Sequence, residues 1–381
     1  MKIVGVICEY NPFHLGHRKQ LDWIRHEVGE DCGIVCLMSG NFVQRGHPAI
    51  VDKSLRAKAA LECGADLVLE LPANISLASA EGFAAGGVAI LSPFCDAICF
   101  GAEDADGEKL MALAKTLLSE DFRTALRQQL DTGLSFPAAR ARAVQDMGLE
   151  AGLLQTPNNI LAVEYCKAIL SQGSSMEILP ICRQGSYHDI LPDSENPSAT
   201  ALRQLLLSGG DWQSYVPQQT VSLLSEAELH TLGAGERAVL ARLRCMTEEE
   251  FSQIPYGSEG LWRKLMHAVR EQASLEDILT AVKSKRYTRT RLDRMVLCAF
   301  LGLTERDLQT PAPYVRVLGF SQRGREVLKQ ARTTGDFPNA GEPRDCAYWQ
   351  KEQLHGDLYG LFTQVAPEKP GQERRRRVCI K

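Results

Sequence analysis

The chain has 381 residues, 44% hydrophobic and 24% charged, an ordinary globular composition with material for two or three domains. Its net charge of −4 means that any contact with nucleic acid must use a local basic patch, not the field of the whole molecule. No apolar run approaches the ~18 residues that a membrane-spanning helix needs, and the twelve scattered cysteines, with no signal peptide ahead of them, read as reduced thiols of a cytoplasmic protein.

The first apolar run, Ile3–Ile7, reads as a buried strand. It leads into Cys8-Glu9-Tyr10-Asn11-Pro12-Phe13-His14-Leu15-Gly16-His17 and then a helical pattern through Leu21, Ile24 and Val28. The chain turns at Asn11-Pro12, and a helix begins with two histidines and a glycine near its start. A helix N-terminus offers unpaired N–H groups and partial positive charge, which suit phosphate. His14 and His17 share one helix face, and Gly16 lets another group approach the backbone. A lone H-x-G-H is weak; its place after the first strand strengthens it. The spacing, without a nearby carboxylate or thiol ligand, does not suggest a metal site.

Gly33–Met38 is the second strand, ending at Ser39-Gly40-Asn41, and Asp52 is placed to cap a helix through Leu55, Ala59 and Cys63. Asp66–Leu71 and Asp96–Phe100 are the third and fourth strands, with a small-residue helix between them over about 80–91. The stretch Glu108–Gly148 is helical, and a further helix follows Thr156-Pro157-Asn158-Asn159, where Asn158 could equally be a plain cap. Met176–Cys182 is the fifth strand. Pro197-Ser198-Ala199-Thr200 opens another helix, with Ser198 and Thr200 able to cap it or to face an anion. Apolar strands alternating with helices predict an α/β fold with a parallel five-stranded sheet. Ligands of such sheets bind beyond the carboxyl ends of the strands, where the opening motif, Asn41 and Gly101 all lie.

The alternation stops near 209–219. Beyond it the pattern is helical (220–232, 236–243, 247–253, 260–271, 275–282 and 291–301), so the expectation is an all-α C-terminal domain, with 1–215 as the first domain and 216–381 as the second. Within it, Lys283-Ser284-Lys285-Arg286-Tyr287-Thr288-Arg289-Thr290-Arg291-Leu292-Asp293-Arg294 sets six cations against one acid, with an aromatic inside the run. Such a run can be a solvated face, but cations with an interleaved ring also suit RNA backbone contact and base stacking. Gly371–Arg377 reads as a disordered basic tail.

Together these residues carry a resemblance. Val6–His17, with its Glu-Tyr-Asn-Pro-Phe-His-Leu-Gly-His, resembles the signature of the nucleotidylyltransferases in the version found in bacterial tRNA(Met) cytidine acetate ligases. The likeness extends to Met38–Gly46, Asp66–Pro72, Phe100–Glu103, Pro157–Leu161, Tyr187-His188-Asp189, Ser198-Ala199-Thr200 and Lys285–Leu292. The resemblance implies a Rossmann-like sheet of nucleotidylyltransferase type and a ligase. Enzymes of this kind activate acetate with ATP, as acetyl-adenylate, and acetylate the wobble cytidine of elongator tRNA(Met), with Mg²⁺ accompanying the ATP. Carried over residue by residue, His14 and His17 become the catalytic pair. The ATP site takes in Ile7, Cys8, Glu9, Tyr10, Asn11, Pro12, Phe13, Leu15, Gly16 and Gln20 around them, with Gly101, Asn158, Arg183, Gln184, Ser198 and Thr200 from later strand ends. Lys283, Lys285, Arg286, Tyr287, Arg289 and Arg291 would contact tRNA. Ala199 departs from the commonest version of its motif, where a second serine is frequent. Two other readings are a small-molecule adenylyltransferase of the same fold, which the long helical extension disfavours, and a non-catalytic RNA-binding protein, which the intact His14, Gly16 and His17 disfavour. The acetate pocket is open, with Asn41 and Arg45 as candidates; so is the base for acetyl transfer, if one is needed at all, with His188 and Asp189 as candidates; and so is the oligomeric state.

Overall fold

The computed structural model describes residues 1–182, 198–334 and 346–381. Five parallel strands follow the apolar runs closely: β1 Ile3–Cys8, β2 Gly33–Ser39, β5 Leu67–Leu71, β6 Ala97–Ala102 and β7 Glu177–Cys182. Between β2 and β5 lies a two-stranded hairpin, β3 Phe42–Val43 and β4 His47–Pro48. The strands are apolar on both sides because both faces are covered. Ile34, Cys36 and Met38 of β2 pack with Leu21, Ile24, Ala57 and Leu61 from the helices Leu15–Val28 and Lys53–Glu62. The alternate residues Val35 and Leu37 pack with Phe83, Leu91, Leu113 and Ala162 from the opposite helical layer. This is the period-two alternation of a strand buried between two layers.

The sheet has seven strands, not the five expected, in the order β7-β6-β1-β2-β5-β8-β9. The two additions are β8 Arg316–Phe320, antiparallel to β5, and β9 Cys379–Ile380, parallel to β8. The C-terminal region is therefore not all helical. It returns to the first sheet and extends its edge. The tail is ordered as well: Gln372–Arg375 is a short helix whose Glu373 is buried. Glu373 sits among Lys53 (2.9 Å), Arg316 and Arg376, and Arg376 in turn pairs with Asp52 (2.8 Å). An Arg-rich run that looks disposable in sequence is thus a strap across the start of the helix Lys53–Glu62.

The helical part follows the expected pattern over Glu236–Cys245, Leu261–Glu271, Leu275–Val282 and Arg289–Leu301, although the helix expected over 220–232 spans only Gln218–Ser225. Its core takes in Phe42, Ala73 and Leu77 from the first half of the chain, so it rests on the hairpin and on the segment after β5. The twelve cysteines are all free thiols, seven of them buried.

Candidate active site at the switch point of the sheet

Strand order departs from chain order on either side of β1, where β2 lies to one side and β6 to the other. A crevice opens at such a point beyond the carboxyl ends of the strands. The segment leaving β1 fills the rim of that crevice. Tyr10 takes a left-handed backbone (φ 46°), the Asn11–Pro12 bond is cis, and the helix Leu15–Val28 then begins with His14 as its cap.

The two histidines form the cap themselves. The Nδ1 of His14 accepts from the Gly16 N–H (3.1 Å), and the Nδ1 of His17 accepts from the His14 N–H (3.2 Å). The rings stack at 3.6 Å between centroids, with Tyr10 and Phe13 against the His17 ring. An Nδ1 that accepts fixes the neutral tautomer with its proton on Nε2, so each ring is set as a donor at the N-terminus of a helix. Gly16 leaves room for the His14 ring, since a Cβ there would lie 3.0 Å from it and push it by a few tenths of an ångström. Behind the pair, Gln20 donates to Cys99 of β6 (3.6 Å), tying the helix across the crevice. The side chains of Tyr10 and Phe13 are buried and Ile7 packs in the core, so they support the loop that carries the histidines. The Cys8 thiol is likewise pushed up by burial.

Asn11 clamps two later segments. Its Oδ1 accepts from the Ile50 N–H (2.7 Å), and its carbonyl accepts from Arg203 (2.8 Å) in the helix Ala199–Ser208. Ser198 caps that helix by accepting from the Ala201 N–H (3.1 Å), and Thr200 Oγ1 accepts from Arg203 (3.1 Å). Glu9, Asn11, Val43, Arg45, His47, Pro48, Ser198, Thr200 and Arg203 line one cleft of about 90 Å³. The structure thus brings Ser198 and Thr200 to the opening motif across nearly 190 residues of chain.

Gly101 and Asn158 stand on the other side of β1. Gly101 pairs with Ile181 in the β6–β7 ladder. Asn158 lies in the first turn of the helix Pro157–Gln172, and its side chain donates to Glu103 (2.7 Å). Thr156, not Asn158, is the cap residue. Glu103 closes the helix start by accepting from Thr156 Oγ1 and the Asn159 N–H, both at 2.8 Å. Burial would raise its carboxyl, but these bonds from Thr156, Asn158 and Asn159 hold it below its ordinary value. Arg183 and Gln184, with Tyr187, His188 and Asp189, lie outside the described residues.

Sequence reasoning missed Arg56. It is fully buried and donates to the carbonyls of Val51 (3.0 Å), Glu9 (2.7 Å), Ser39 (3.0 Å) and Gly40. One guanidinium therefore ties together the ends of β1 and β2 and the loop before its own helix. Asn41, a candidate for the acetate pocket, is nearly buried and holds the same helix start, accepting from the Lys53 N–H (2.9 Å) and donating to Asp52 (3.3 Å). Arg45 does line the cleft.

The basic segment forms the turn between the helices Leu275–Val282 and Arg289–Leu301. Arg286 pairs with Glu259 (2.7 Å), and Arg289 pairs with Glu276 (2.7 Å) and Asp293 (2.8 Å). Arg291 lies over the Tyr287 ring at 5.0 Å and donates to the Tyr256 carbonyl (2.9 Å). Lys283 and Lys285 are exposed. The helix that begins here packs on the cleft hairpin: Asp293 is 3.9 Å from His47, and Arg294 reaches the Gln44 carbonyl (3.4 Å). Burial lowers the His47 imidazole; Asp293 opposes this, while Arg203, Arg289 and Arg45 add to it. Among the described residues no group of three or more His, Cys, Asp or Glu side chains could hold a metal, and no helix is long and apolar enough to cross a membrane.

A profile described as HIGH nucleotidyl transferase matches residues 1–373. The tRNA(Met) cytidine acetate ligase of Clostridium acetobutylicum is 35% identical over 361 residues, covering 89% of each chain. That of Acetivibrio thermocellus is 34% identical over 417 residues, covering all of both. Among solved structures, Thermotoga maritima TmcAL without ligand superposes with a TM-score of 0.91 at 29% identity, over 100% of this chain and 99% of that one. The same protein bound with alpha-thio ATP superposes with a TM-score of 0.89 at 28% identity, over the same shares.

Proposed function

The chain belongs to the family of tRNA(Met) cytidine acetate ligases, and from that premise we propose that it activates acetate with ATP as acetyl-adenylate and then acetylates the wobble cytidine of elongator tRNA(Met). The observation that carries this reading is the stacked His14–His17 pair, with Nε2 protons set at a helix N-terminus in the switch-point crevice. Adenylate formation is an in-line attack of a carboxylate on the α-phosphorus. It calls for donors placed where charge grows on the phosphates, not for a protein nucleophile.

In this reading His14 and His17 donate to the phosphates, and the helix start at Ser198 and Thr200 receives the pyrophosphate end. Gly101, Asn158, Arg183 and Gln184 complete the nucleotide site. ATP enters as its Mg²⁺ complex. The donor set described above fits an ion held by phosphate oxygens and water better than one held in a protein cage. Residues 1–215 supply this chemistry, while 216–381 present Lys283, Lys285, Arg286, Tyr287, Arg289 and Arg291 to the tRNA. The packing of the helix Arg289–Leu301 on the cleft hairpin supports this division, because bound RNA would be held beside the adenylate. The free thiols fit the cytoplasm.

Pyrophosphate exchange into ATP tests the first half-reaction without tRNA. Exchange should depend on acetate. Exchange that ignores acetate but responds to a cofactor precursor would instead identify a small-molecule adenylyltransferase.

A further inference from the structure

Resting on that reading, we propose that Glu9 is the group that accepts the proton of the cytidine amine during acetyl transfer, and that the cleft beside it is the seat of the acceptor base. The cleft has two chemically opposed walls. One is made for an anion: Ser198 and Thr200 at a helix start, Arg203 and Arg45. The other is the Glu9 carboxylate, which would repel both acetate and the phosphates of ATP. A carboxylate kept beside an anion site calls for a donor. The exocyclic amine of cytosine is such a donor, and Asp or Glu is its usual partner.

Glu9 is held in place at both ends. Its carbonyl accepts from Arg56 (2.7 Å), and one carboxylate oxygen, Oε1, accepts from the Gln44 N–H (2.9 Å) in the hairpin turn. The anchored carboxylate lines the cleft together with that hairpin, whose far side carries the helix that begins in the basic segment. The cleft, about 90 Å³, is well above the roughly 10–15 Å³ that a single water needs, so it admits more than solvent. His47 lines it too, but its ring is turned toward Asp293 on the RNA side and is 43% exposed.

The chemistry needs a base. The lone pair of a cytosine amine is drawn into the ring, so the nitrogen is a poor nucleophile until a proton leaves. As the nitrogen attacks the acetyl carbon, the C–N bond forms and the carbonyl electrons move to oxygen. Collapse breaks the C–O bond to AMP, which leaves as its phosphate anion facing the His14–His17 pair. The amine proton passes to the carboxylate of Glu9 and then to water. Atoms and charge balance with no further reactant.

The test separates the two half-reactions. Glu9→Gln keeps an oxygen for the Gln44 N–H and removes only the basicity. Acetate-dependent pyrophosphate exchange and single-turnover acetylation of a tRNA(Met) transcript by preformed acetyl-adenylate are measured on the same preparation. A general base contributes about 10²–10⁴-fold, so transfer at saturating tRNA should fall at least 30-fold further than exchange does, and Glu9→Asp should fall less than Glu9→Gln. Equal losses in both half-reactions, or a transfer defect that saturating tRNA abolishes, would overturn the role. A larger transfer loss in His47→Gln than in Glu9→Gln would overturn it in favour of the imidazole. Absence of acetate-dependent exchange in the unaltered protein would instead count against the ligase reading itself.

Discussion

At the scale of single residues, the imidazole pair caps its helix and, in the proposed reading, also donates to phosphate, two roles that substitution can separate. His14→Ala removes both the helix cap and the Nε2–H donor, whereas His14→Asn restores a good cap without that donor. Both variants should lose acetate-dependent exchange by about 10²-fold or more, the usual consequence of removing a donor to developing charge. Only the alanine should also lose about 1 kcal/mol of stability in a thermal melt. Recovery of exchange by asparagine would mean that the histidine serves the cap alone. Arg56 marks the opposite case, a side chain with no motif around it. Replacing it by methionine leaves four carbonyls, three at strand ends and one in the loop before its helix, without their donor. A loss of about 3 kcal/mol or more is expected in denaturant titration. A loss below about 1 kcal/mol would show that water takes over those carbonyls.

At the scale of elements, the five parallel strands and the histidine loop were legible because their causes are local. An apolar run buried on both faces, a proline turn and a capped helix are all written within a few residues of each other. Arg316–Phe320 and Cys379–Ile380 were not, because the first becomes a strand only by meeting the edge of β5, about 250 residues earlier in sequence, and the second only by pairing with the first. The tail was misread for a similar reason. Composition shows the cations of Gly371–Arg377 but not the buried Glu373 among them, nor Asp52 waiting for Arg376. Burial pushes the Glu373 carboxyl up, but Lys53, Arg376 and Arg316 outweigh it and bring the group from its ordinary 4.5 to about 2. A carboxyl lowered on folding contributes stability that is present above its unfolded value and lost as pH falls through the folded one. Acid titration of the fold should therefore show a stability loss between about pH 4.5 and 2 that is much flatter in Glu373→Gln. Glu70, raised by burial in the same cage, works in the opposite direction, so a flat acid limb in the unaltered protein would mean that the two cancel, while a limb identical in Glu373→Gln would contradict the role of Glu373. The hairpin offers a sharper element-level test. Gly46 has φ 82°, and a Cβ there would lie 2.4 Å from the Arg294 nitrogen. Gly46→Ala should push the hairpin off the helix Arg289–Leu301, lowering acetylation of tRNA more than pyrophosphate exchange. Equal effects on both would show that this contact serves only stability.

At the scale of the whole molecule, a chain of net charge −4 must meet RNA through one face. In the reading proposed above, the segment 283–294 supplies that face, and its Arg286 and Arg289 are already engaged with Glu259, Glu276 and Asp293. That arrangement was invisible in the sequence, where six cations stand against one acid. It changes the choice of variant. Reversing Arg289 would also strand the buried Asp293, whereas Lys283→Glu with Lys285→Glu touches exposed side chains only. The double variant should weaken tRNA binding, with a smaller salt slope, since fewer counterions are released on binding. An unchanged slope in filter binding would place the tRNA on another face.

The central claim joins the two ends of the molecule: ATP chemistry at the histidine cap is spent on one base of a tRNA held beside it. Incubation of the protein with ATP, Mg²⁺, acetate and elongator tRNA(Met), followed by digestion and mass spectrometry of the nucleosides, measures this most directly. The account predicts N4-acetylcytidine at the wobble position, formed only when both ATP and acetate are present. Unmodified cytidine under those conditions, with pyrophosphate exchange intact, would contradict it.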